Sequence, residues 1–288
     1  MVKIGIFMDI LTSTKTDYNR WASDKLGSYT NNINNLMVEI RNPLKLSKSE
    51  KDKCFKILKS QNMVFFNIGK PQKNIGFSLQ ELARQFGMGN YELDSQSNET
   101  GLTKIQVETN KDHGEYIPYT NKPLNWHTDG YYNSIKNTIL SWLLYCENSS
   151  VSGGTNKFMD HEIAYILYNQ KYQNIHELMT KDVYTIPENK INLRLETKGY
   201  IFRFINKKLH MRFSMREKNI VWKKSIIDSV NNLKKIIKES TEFHVNHKLL
   251  PGQGVLTNNI IHMRTTFTNT KNKNRLLYRL RSKKRICN

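Results

Sequence analysis

Ile139-Leu140-Ser141-Trp142-Leu143-Leu144-Tyr145 is a short, almost wholly apolar run, and its length and composition are typical of a buried β-strand. Similar runs separated by turn residues continue along the chain after about residue 103, and they predict strands at 200–204, 209–213, 254–257 and 275–280. Helical segments interrupt these runs at 160–169, with a short continuation near 175–179, and at 222–238. The pattern predicts a mainly β protein with flanking helices, and a jelly-roll-like double sheet is one architecture that closes such strands around an open mouth.

The first hundred residues carry helical signals instead. Ser47-Lys48-Ser49-Glu50 is a capping box that predicts a helix to about residue 60, with a buried strand at 63–68 after it. Ser78-Leu79-Gln80-Glu81 is a second capping box and predicts a helix from there to Phe86. Because the chain shows no repeat and no Pro- or Ser-rich linker, we expect a single domain over residues 1–288. We expect helical and strand elements over about 1–100 and the β core over about 101–288, with helical inserts near 160–180 and 222–238.

Composition excludes several classes of protein. With 288 residues, of which 38% are hydrophobic, the chain is long and apolar enough to bury a substantial core, which argues against wholesale disorder. Mean hydropathy is −0.63, and no apolar run approaches the roughly 20 residues that a membrane-spanning helix needs. The apolar start, residues 1–9, lacks a small-residue cleavage site. The 3 cysteines form no Cys-x-x-Cys pair, which argues against a disulfide framework. We expect a cytoplasmic protein without a membrane partner.

The net charge of +20 has two interpretations. It indicates an anionic partner such as nucleic acid, or it reflects a composition rich in Lys, Asn and Ile that raises charge without selecting a partner. Basic residues are spread along the chain and concentrate only in the tail, residues 271–285. We therefore favour the compositional interpretation, and we keep nucleic acid as an alternative partner.

Trp126-His127-Thr128-Asp129-Gly130 contains a pair of metal-ligand candidates. In an extended segment, residues two apart point to the same face, so His127 and Asp129 can converge on one ion. A non-haem iron(II) site needs a third protein ligand and leaves positions open for a co-substrate and oxygen. His262, which ends a predicted strand after the turn near residue 252, is the candidate for this third ligand.

The last predicted strand carries an unusual set of arginines. Strand alternation places Arg275, Leu277, Arg279 and Arg281 on one face. Arginines that point into a β core need anionic partners, and the planar guanidinium suits a carboxylate held by two hydrogen bonds. The alternative is an edge strand whose arginines are solvated.

Together these motifs resemble the taurine dioxygenase (TauD/TfdA-like) family of iron(II)- and 2-oxoglutarate-dependent oxygenases. The resemblance spans roughly residues 64–281 and rests on motifs in the order of the family: the His127/Asp129 pair, Gly153-Gly154-Thr155, His262 with Arg264 and Phe267, and Arg275 with Arg279. It implies a double-stranded β-helix, the jelly-roll or cupin-like fold. It also implies dimers or tetramers.

The resemblance assigns roles to individual residues. His127, Asp129 and His262 would bind Fe(II) as the catalytic centre, and Arg275 and Thr155 would hold the distal carboxylate of 2-oxoglutarate. Arg279 would meet a carboxylate of the substrate or the co-substrate; from their places in the chain, we add Arg212 and Tyr131 as candidates for the same task.

The implied activity is a dioxygenase that uses O2 to hydroxylate a small organic substrate, anionic or zwitterionic, with release of succinate and CO2. Three alternatives stay open at this point. One is an oxygenase acting on RNA or another polyanion, and another is a non-catalytic or zinc-binding relative. The third is a zinc hydrolase, which would leave Thr155 and Arg275 without a role.

Overall fold

A computed structural model describes residues 14–69, 73–93, 97–107, 117–189, 194–216 and 220–286 of the chain. The apolar start, residues 1–9, lies outside this part. Within the described ranges, no helix is both long and apolar enough to cross a membrane.

The elements of the described part alternate between short strands and a few helices. The strands are β1 (Met37–Glu39), β2 (Met63–Asn67), β3 (Leu102–Gln106), β4 (Leu124–His127), β5 (Ser141–Asn148), β6 (Ser152–Gly153), β7 (Asn156–Met159), β8 (Tyr184–Ile186), β9 (Thr197–Gly199), β10 (Phe202–Ile205), β11 (Lys208–Met211), β12 (Val221–Trp222), β13 (Val245–His247), β14 (Gln253–Thr257), β15 (Ile261–Arg264), β16 (Phe267–Thr268) and β17 (Leu276–Ser282). The α-helices are α1 (Lys15–Gly27), α2 (Ile33–Leu36), α3 (Lys48–Gln61), α4 (Ile75–Gln85), α5 (His161–Tyr172) and α6 (Ile227–Glu239).

The larger sheet has the strand order β1-β2-β14-β5-β17-β3, with antiparallel pairing except between β1 and β2. The apolar run of the sequence forms β5 in its middle, where Leu143 pairs with Leu256 on one side and Leu280 on the other. A strand with neighbours on both edges satisfies all its backbone groups inside the sheet, and its apolar side chains can be buried on both faces. The predicted strand at 275–280 is therefore an interior strand, β17, and not a solvated edge.

A second sheet, β13-β7-β15-β4, faces the first. Phe158 of β7 packs against Phe65 of β2 and Trp142 of β5, with ring centroids 5.4 and 6.4 Å apart. The two sheets thus enclose an apolar interior in which Phe158 and Trp142 are almost completely buried. This is the mainly β architecture with flanking helices that the sequence predicts.

The helix boundaries both confirm and correct the sequence predictions. Ser47 caps α3 through the predicted reciprocal bonds with Glu50. The second capping box is wrong: the N-cap of α4 is Asn74, four residues before Ser78, because the side chain of Asn74 accepts the N–H of Phe77. The predicted helix at 222–238 begins late, since residues 221–222 pair with β8 as strand β12.

A buried polar cluster joins α1 and α5 outside the β interior. The Lys25 ammonium lies 2.6 Å from an oxygen of Asp160 and 2.8 Å from one of Glu162, and all three side chains are almost inaccessible. Asp160 also accepts hydrogen bonds from the amide of Asn62 at the end of α3. The cluster ties α1 and the end of α3 to the start of α5.

Candidate active site

Two histidines from neighbouring strands and one aspartate meet at the edge of the second sheet. His127 ends β4, His262 lies in β15, and the two are directly paired across the antiparallel ladder, with ring centroids 4.2 Å apart. Asp129 follows His127 by two residues, and one of its carboxylate oxygens lies 3.6 Å from Nε2 of His127 and 3.7 Å from Nε2 of His262. One ligand atom from each residue falls within 4.8 Å of the others, so the three can share one metal ion.

Backbone carbonyls orient both imidazole rings. Nδ1 of His127 lies 2.8 Å from the carbonyl of Asn125, and Nδ1 of His262 lies 3.1 Å from that of Ile260. A protonated Nδ1 that donates to a carbonyl leaves Nε2 as the bare nitrogen, which is the form that binds a metal. Both Nε2 atoms face Asp129.

The charges at this point favour a deprotonated donor set. Burial and then the neighbouring His127 lower the pKa of His262 to about 3, so its ring is neutral at neutral pH. Burial alone would raise the pKa of the Asp129 carboxyl, but the positive charge of the Arg279 guanidinium outweighs it and holds that pKa well below its ordinary value. Nη1 of Arg279 lies 3.3 Å from Oδ2 of Asp129. Two imidazoles whose Nε2 atoms face one carboxylate form a donor set typical of non-haem iron(II).

A cavity between the two sheets opens in front of these three residues. Its walls combine apolar side chains with polar groups, including Ile105, Leu144, Leu277, Asn156, Arg264, Arg275 and Arg279. As strand alternation predicts, Arg275, Leu277 and Arg279 share the face that lines this cavity. Arg281 instead forms an ion pair with Glu92 at 2.6 Å and donates to the hydroxyl of Tyr132.

Arg275 differs sharply from the other buried arginine of the cavity. Both guanidinium groups stack on the ring of Phe267, at 5.0 Å for Arg275 and 4.8 Å for Arg264. Arg264 donates to the carbonyls of the segment 117–122. Within the described ranges, the Arg275 guanidinium forms no ion pair with a carboxylate, although it is only 5% exposed. Burial lowers its pKa to about 10, so it remains charged at neutral pH.

This cavity fits a metal ion together with a dianionic co-substrate. The three donors would hold the metal ion and leave positions open for other ligands. An uncompensated buried cation is costly unless an anion joins it, and a carboxylate has the shape that a guanidinium binds with two hydrogen bonds. The residues therefore match the group that the sequence resemblance implies.

Thr155 lies outside the cavity wall, and Asn156 lies in it. The backbone N–H and carbonyl of Thr155 are both bonded to Thr265, which fixes it at the start of β7. Alternation along β7 then places Asn156 on the same face as Phe158, whose ring is near His262. The sequence analysis did not identify Asn156. The apolar Phe158 two residues later is a signal for it, because two such residues of one strand point to the same face.

Arg212 and Tyr131 also lie elsewhere, which corrects the expectation that they reach the cavity. Arg212 is 1% exposed and donates to the carbonyls of Tyr131 and Asn133. Its guanidinium lies between the rings of Tyr184 and Tyr200, 5.8 and 5.7 Å from their centroids. Arg212 thus holds the segment that follows Asp129, which includes Tyr131, because a fully buried guanidinium donates to the carbonyls within its reach.

The family model described as "Taurine catabolism dioxygenase TauD, TfdA family" matches residues 30–281. A search of curated protein sequences finds no match.

Several solved structures share the fold. An asparagine oxygenase in complex with Fe(II), 2S,3S-3-hydroxyasparagine and succinate superposes with a TM-score of 0.60 at 12% identity, over 82% of this chain and 80% of that one. The non-heme iron oxygenase OrfP with Fe, succinate and (3S)-hydroxy-L-Arg gives 0.59 at 11%, over 83% and 81%. A putative alpha-ketoglutarate-dependent taurine dioxygenase from Burkholderia xenovorans gives 0.59 at 17%, over 86% and 89%. These likenesses confirm the jelly-roll fold.

Proposed function

The chain belongs to the taurine catabolism dioxygenase TauD, TfdA family, and from that premise we propose that it hydroxylates a small anionic or zwitterionic organic substrate, with Fe(II) held by His127, Asp129 and His262. As a family member it is an oxidoreductase that uses iron, 2-oxoglutarate and O2. The observation that carries the proposal for the site is the convergence of these three donors in the same cavity as the guanidinium of Arg275, which pairs with no carboxylate among the described residues.

The roles of the metal ligands follow from their atoms. His127 and His262 offer their Nε2 lone pairs, and Asp129 offers the oxygen that faces both rings. Three protein ligands leave three positions for other ligands. The bound iron supplies the oxygen chemistry, in which 2-oxoglutarate and O2 become succinate and CO2 and one oxygen atom enters a substrate C–H bond. The protein contributes the donor set and a cavity with apolar walls.

Arg275 and Asn156 bind the far end of the co-substrate in this proposal. The guanidinium of Arg275 forms two hydrogen bonds with the distal carboxylate, and the amide of Asn156 donates a third, in place of the hydroxyl that the sequence assigned to Thr155. Ile105, Leu144 and Leu277 keep water from this carboxylate. Charge-assisted hydrogen bonds are stronger in such a setting because the local dielectric is low.

Arg279 contributes to the substrate side of the site. One of its terminal nitrogens already faces Asp129, and its Nε has no hydrogen-bond partner among the described residues. A guanidinium with free donors beside the metal ligands suits an acidic group of the substrate. Two of the similar structures contain hydroxylated amino acids, hydroxyasparagine and (3S)-hydroxy-L-Arg. We therefore propose free amino acids and their sulfonate analogues as the first substrates to test.

The wider context of the enzyme also remains a proposal. We propose one oxygenase domain over the 288 residues, a cytoplasmic location and a homo-oligomer. We further propose that activity needs no nucleic acid, because the cationic groups described at the site lie inside a cavity lined by apolar side chains.

Succinate formation tests the proposal directly. The chain is incubated with Fe(II), 2-oxoglutarate, ascorbate and O2, with each amino acid or amino sulfonate in turn, and succinate is measured. We expect substrate-stimulated succinate from the unmodified chain and none from Asp129→Ala. Asp182→Ala is the matched control, because Asp182 is an aspartate paired on the surface with Lys223 and lies outside the cavity. Equal succinate formation by Asp129→Ala and the unmodified chain would contradict the proposed centre.

A further inference from the structure

We infer that Asn259 is a positioning residue that fixes the position of Asp129 for metal binding, an inference that rests on the proposed function of this site. Asn259 lies in the turn between β14 and β15, three residues before His262, and its side chain is fully buried. It is not among the residues that line the cavity, and its side chain is hydrogen-bonded to the backbone of Asp129.

The amide of Asn259 binds both backbone polar groups of Asp129. Its Oδ1 accepts the N–H of Asp129 at 2.8 Å, and its Nδ2 donates to the carbonyl of Asp129 at 3.0 Å. The second proton of Nδ2 is directed to the carbonyl of Ile139, at 2.7 Å. One side chain thus satisfies a buried N–H and two buried carbonyls.

These bonds matter because no strand in the described part of the chain pairs with Asp129. β4 ends at His127, so the ladder that pairs His127 with His262 stops two residues before the carboxylate. Gly130, the next residue, has φ of +66°, and a Cβ there would lie 2.5 Å from a side-chain carbon of Ile139. The chain turns sharply at this point, and Asn259 supplies the hydrogen bonds that a neighbouring strand would otherwise supply.

The conformation of the turn explains why the residue is asparagine. Asn259 has φ of +56°, in the left-handed region that asparagine tolerates better than other side-chain-bearing residues. Its own N–H donates to Oγ1 of Thr257 at 2.9 Å, which fixes the turn. An amide offers one acceptor and two donors, which is the complement of the three backbone groups around it. Glycine would keep the turn and lose all three bonds.

The consequence is a mechanical link between two metal ligands. The turn that carries Asn259 leads directly into β15, which contains His262, and the side chain of Asn259 is hydrogen-bonded to the backbone of Asp129. The separation of the carboxylate from the His262 ring is therefore set by one short hydrogen-bonded unit. Groups that orient metal ligands change metal affinity by about 10- to 100-fold when they are removed.

Titration with Mn(II) alone tests this inference without any turnover. The EPR signal of the free aqueous ion reports the unbound fraction, and a thermal melt of each variant reports its stability. We expect Asn259→Gly to raise the Kd for Mn(II) by about 10- to 100-fold. Asn259→Ser, which retains a small polar side chain but does not reproduce the three bonds, is the second variant in case the glycine variant does not fold, and we expect the same direction.

Asn174→Gly is the matched control for stability. The Asn174 amide also has two side-chain hydrogen bonds, from Tyr168 and to Ser229, and neither partner lines the cavity. We expect it to lower the melting temperature and leave the Kd within twofold. An unchanged Kd in both Asn259 variants, or an equal rise in Asn174→Gly, would overturn the inference. Failure of the unmodified chain to bind Mn(II) would overturn the proposed function, and the inference with it.

Discussion

Replacement of Arg275 by Met is expected to make the ligand-free protein more stable while it disables the binding of 2-oxoglutarate. The Arg275 guanidinium is 5% exposed, and burial lowers its pKa from 12.5 to about 10. One pKa unit corresponds to about 1.4 kcal/mol, so burial disfavours the charged form by about 3 kcal/mol. Methionine fills similar space without a charge, and we expect it to raise the free energy of unfolding by about 1–3 kcal/mol.

The effect on the co-substrate has the opposite sign. A hydrogen bond to a charged group contributes about 1.5–3 kcal/mol, and Arg275 offers two such bonds to one carboxylate. Their loss costs about 3–5 kcal/mol, which corresponds to a rise in the Kd of 2-oxoglutarate of at least about 10²-fold. The affinity for the metal alone should stay within twofold, because Arg275 is not among the candidate metal ligands.

Arg264→Met is the matched control for this substitution. Arg264 stacks on the same Phe267 ring but donates to backbone carbonyls, among them that of Thr120 at 2.9 Å. Its removal leaves those carbonyls without their donor, so we expect a lower melting temperature in place of a higher one. Calorimetric titration of 2-oxoglutarate and thermal melts of both variants measure the two effects. A lower melting temperature of Arg275→Met in the absence of ligand, or an unchanged Kd for 2-oxoglutarate, would show that this guanidinium does not serve to bind the anionic co-substrate.

Three further predictions follow from the described contacts. In steady-state assays, Asn156→Ala should raise the KM for 2-oxoglutarate by about 10-fold or more, since a hydrogen bond to its carboxylate is lost. Thr155→Ala should leave that KM within twofold. The opposite ranking would show that Thr155, and not Asn156, binds the carboxylate. Lys25→Met should lower the free energy of unfolding by about 3–5 kcal/mol in urea titrations, because two buried carboxylates lose their cation; a change below 1 kcal/mol would contradict this. Burial lowers the pKa of His210 well below 6.5, so on acidification the unfolded chain binds a proton at this residue and the folded chain does not. The free energy of unfolding therefore falls as the pH drops below about 6.5, and His210→Leu should reduce that slope by about 1.4 kcal/mol per pH unit between pH 6 and 5. An unchanged slope would be evidence against a neutral buried ring.

The sequence predicts the β core well because the signals there are local. Strand-length apolar runs locate β5 and β14, and the capping box at Ser47 locates α3. It fails where tertiary contacts decide between similar local signals. Asn74 caps α4 in preference to Ser78, and residues 221–222 pair with β8 in place of continuing the helix.

Within the site, the same distinction holds. His127 and Asp129 are recognisable because two residues of an extended segment share a face, and Arg275 and Arg279 because alternation continues along β17. The choice between Thr155 and Asn156 depends on which of them shares a face of β7 with Phe158, and the resemblance to the family pointed to Thr155 instead. Asn259 escapes detection because its partners, Asp129 and Ile139, are 130 and 120 residues away along the chain.

An anaerobic titration tests the central claim most directly. Fe(II) and then 2-oxoglutarate are added to metal-free protein in the absence of O2, and the visible absorption spectrum is recorded. We expect a weak metal-to-ligand charge-transfer band that appears with 2-oxoglutarate, saturates, and is absent in Asp129→Ala. Fe(II) binding shown by equilibrium dialysis, with no band at any concentration of 2-oxoglutarate, would contradict a centre built for both.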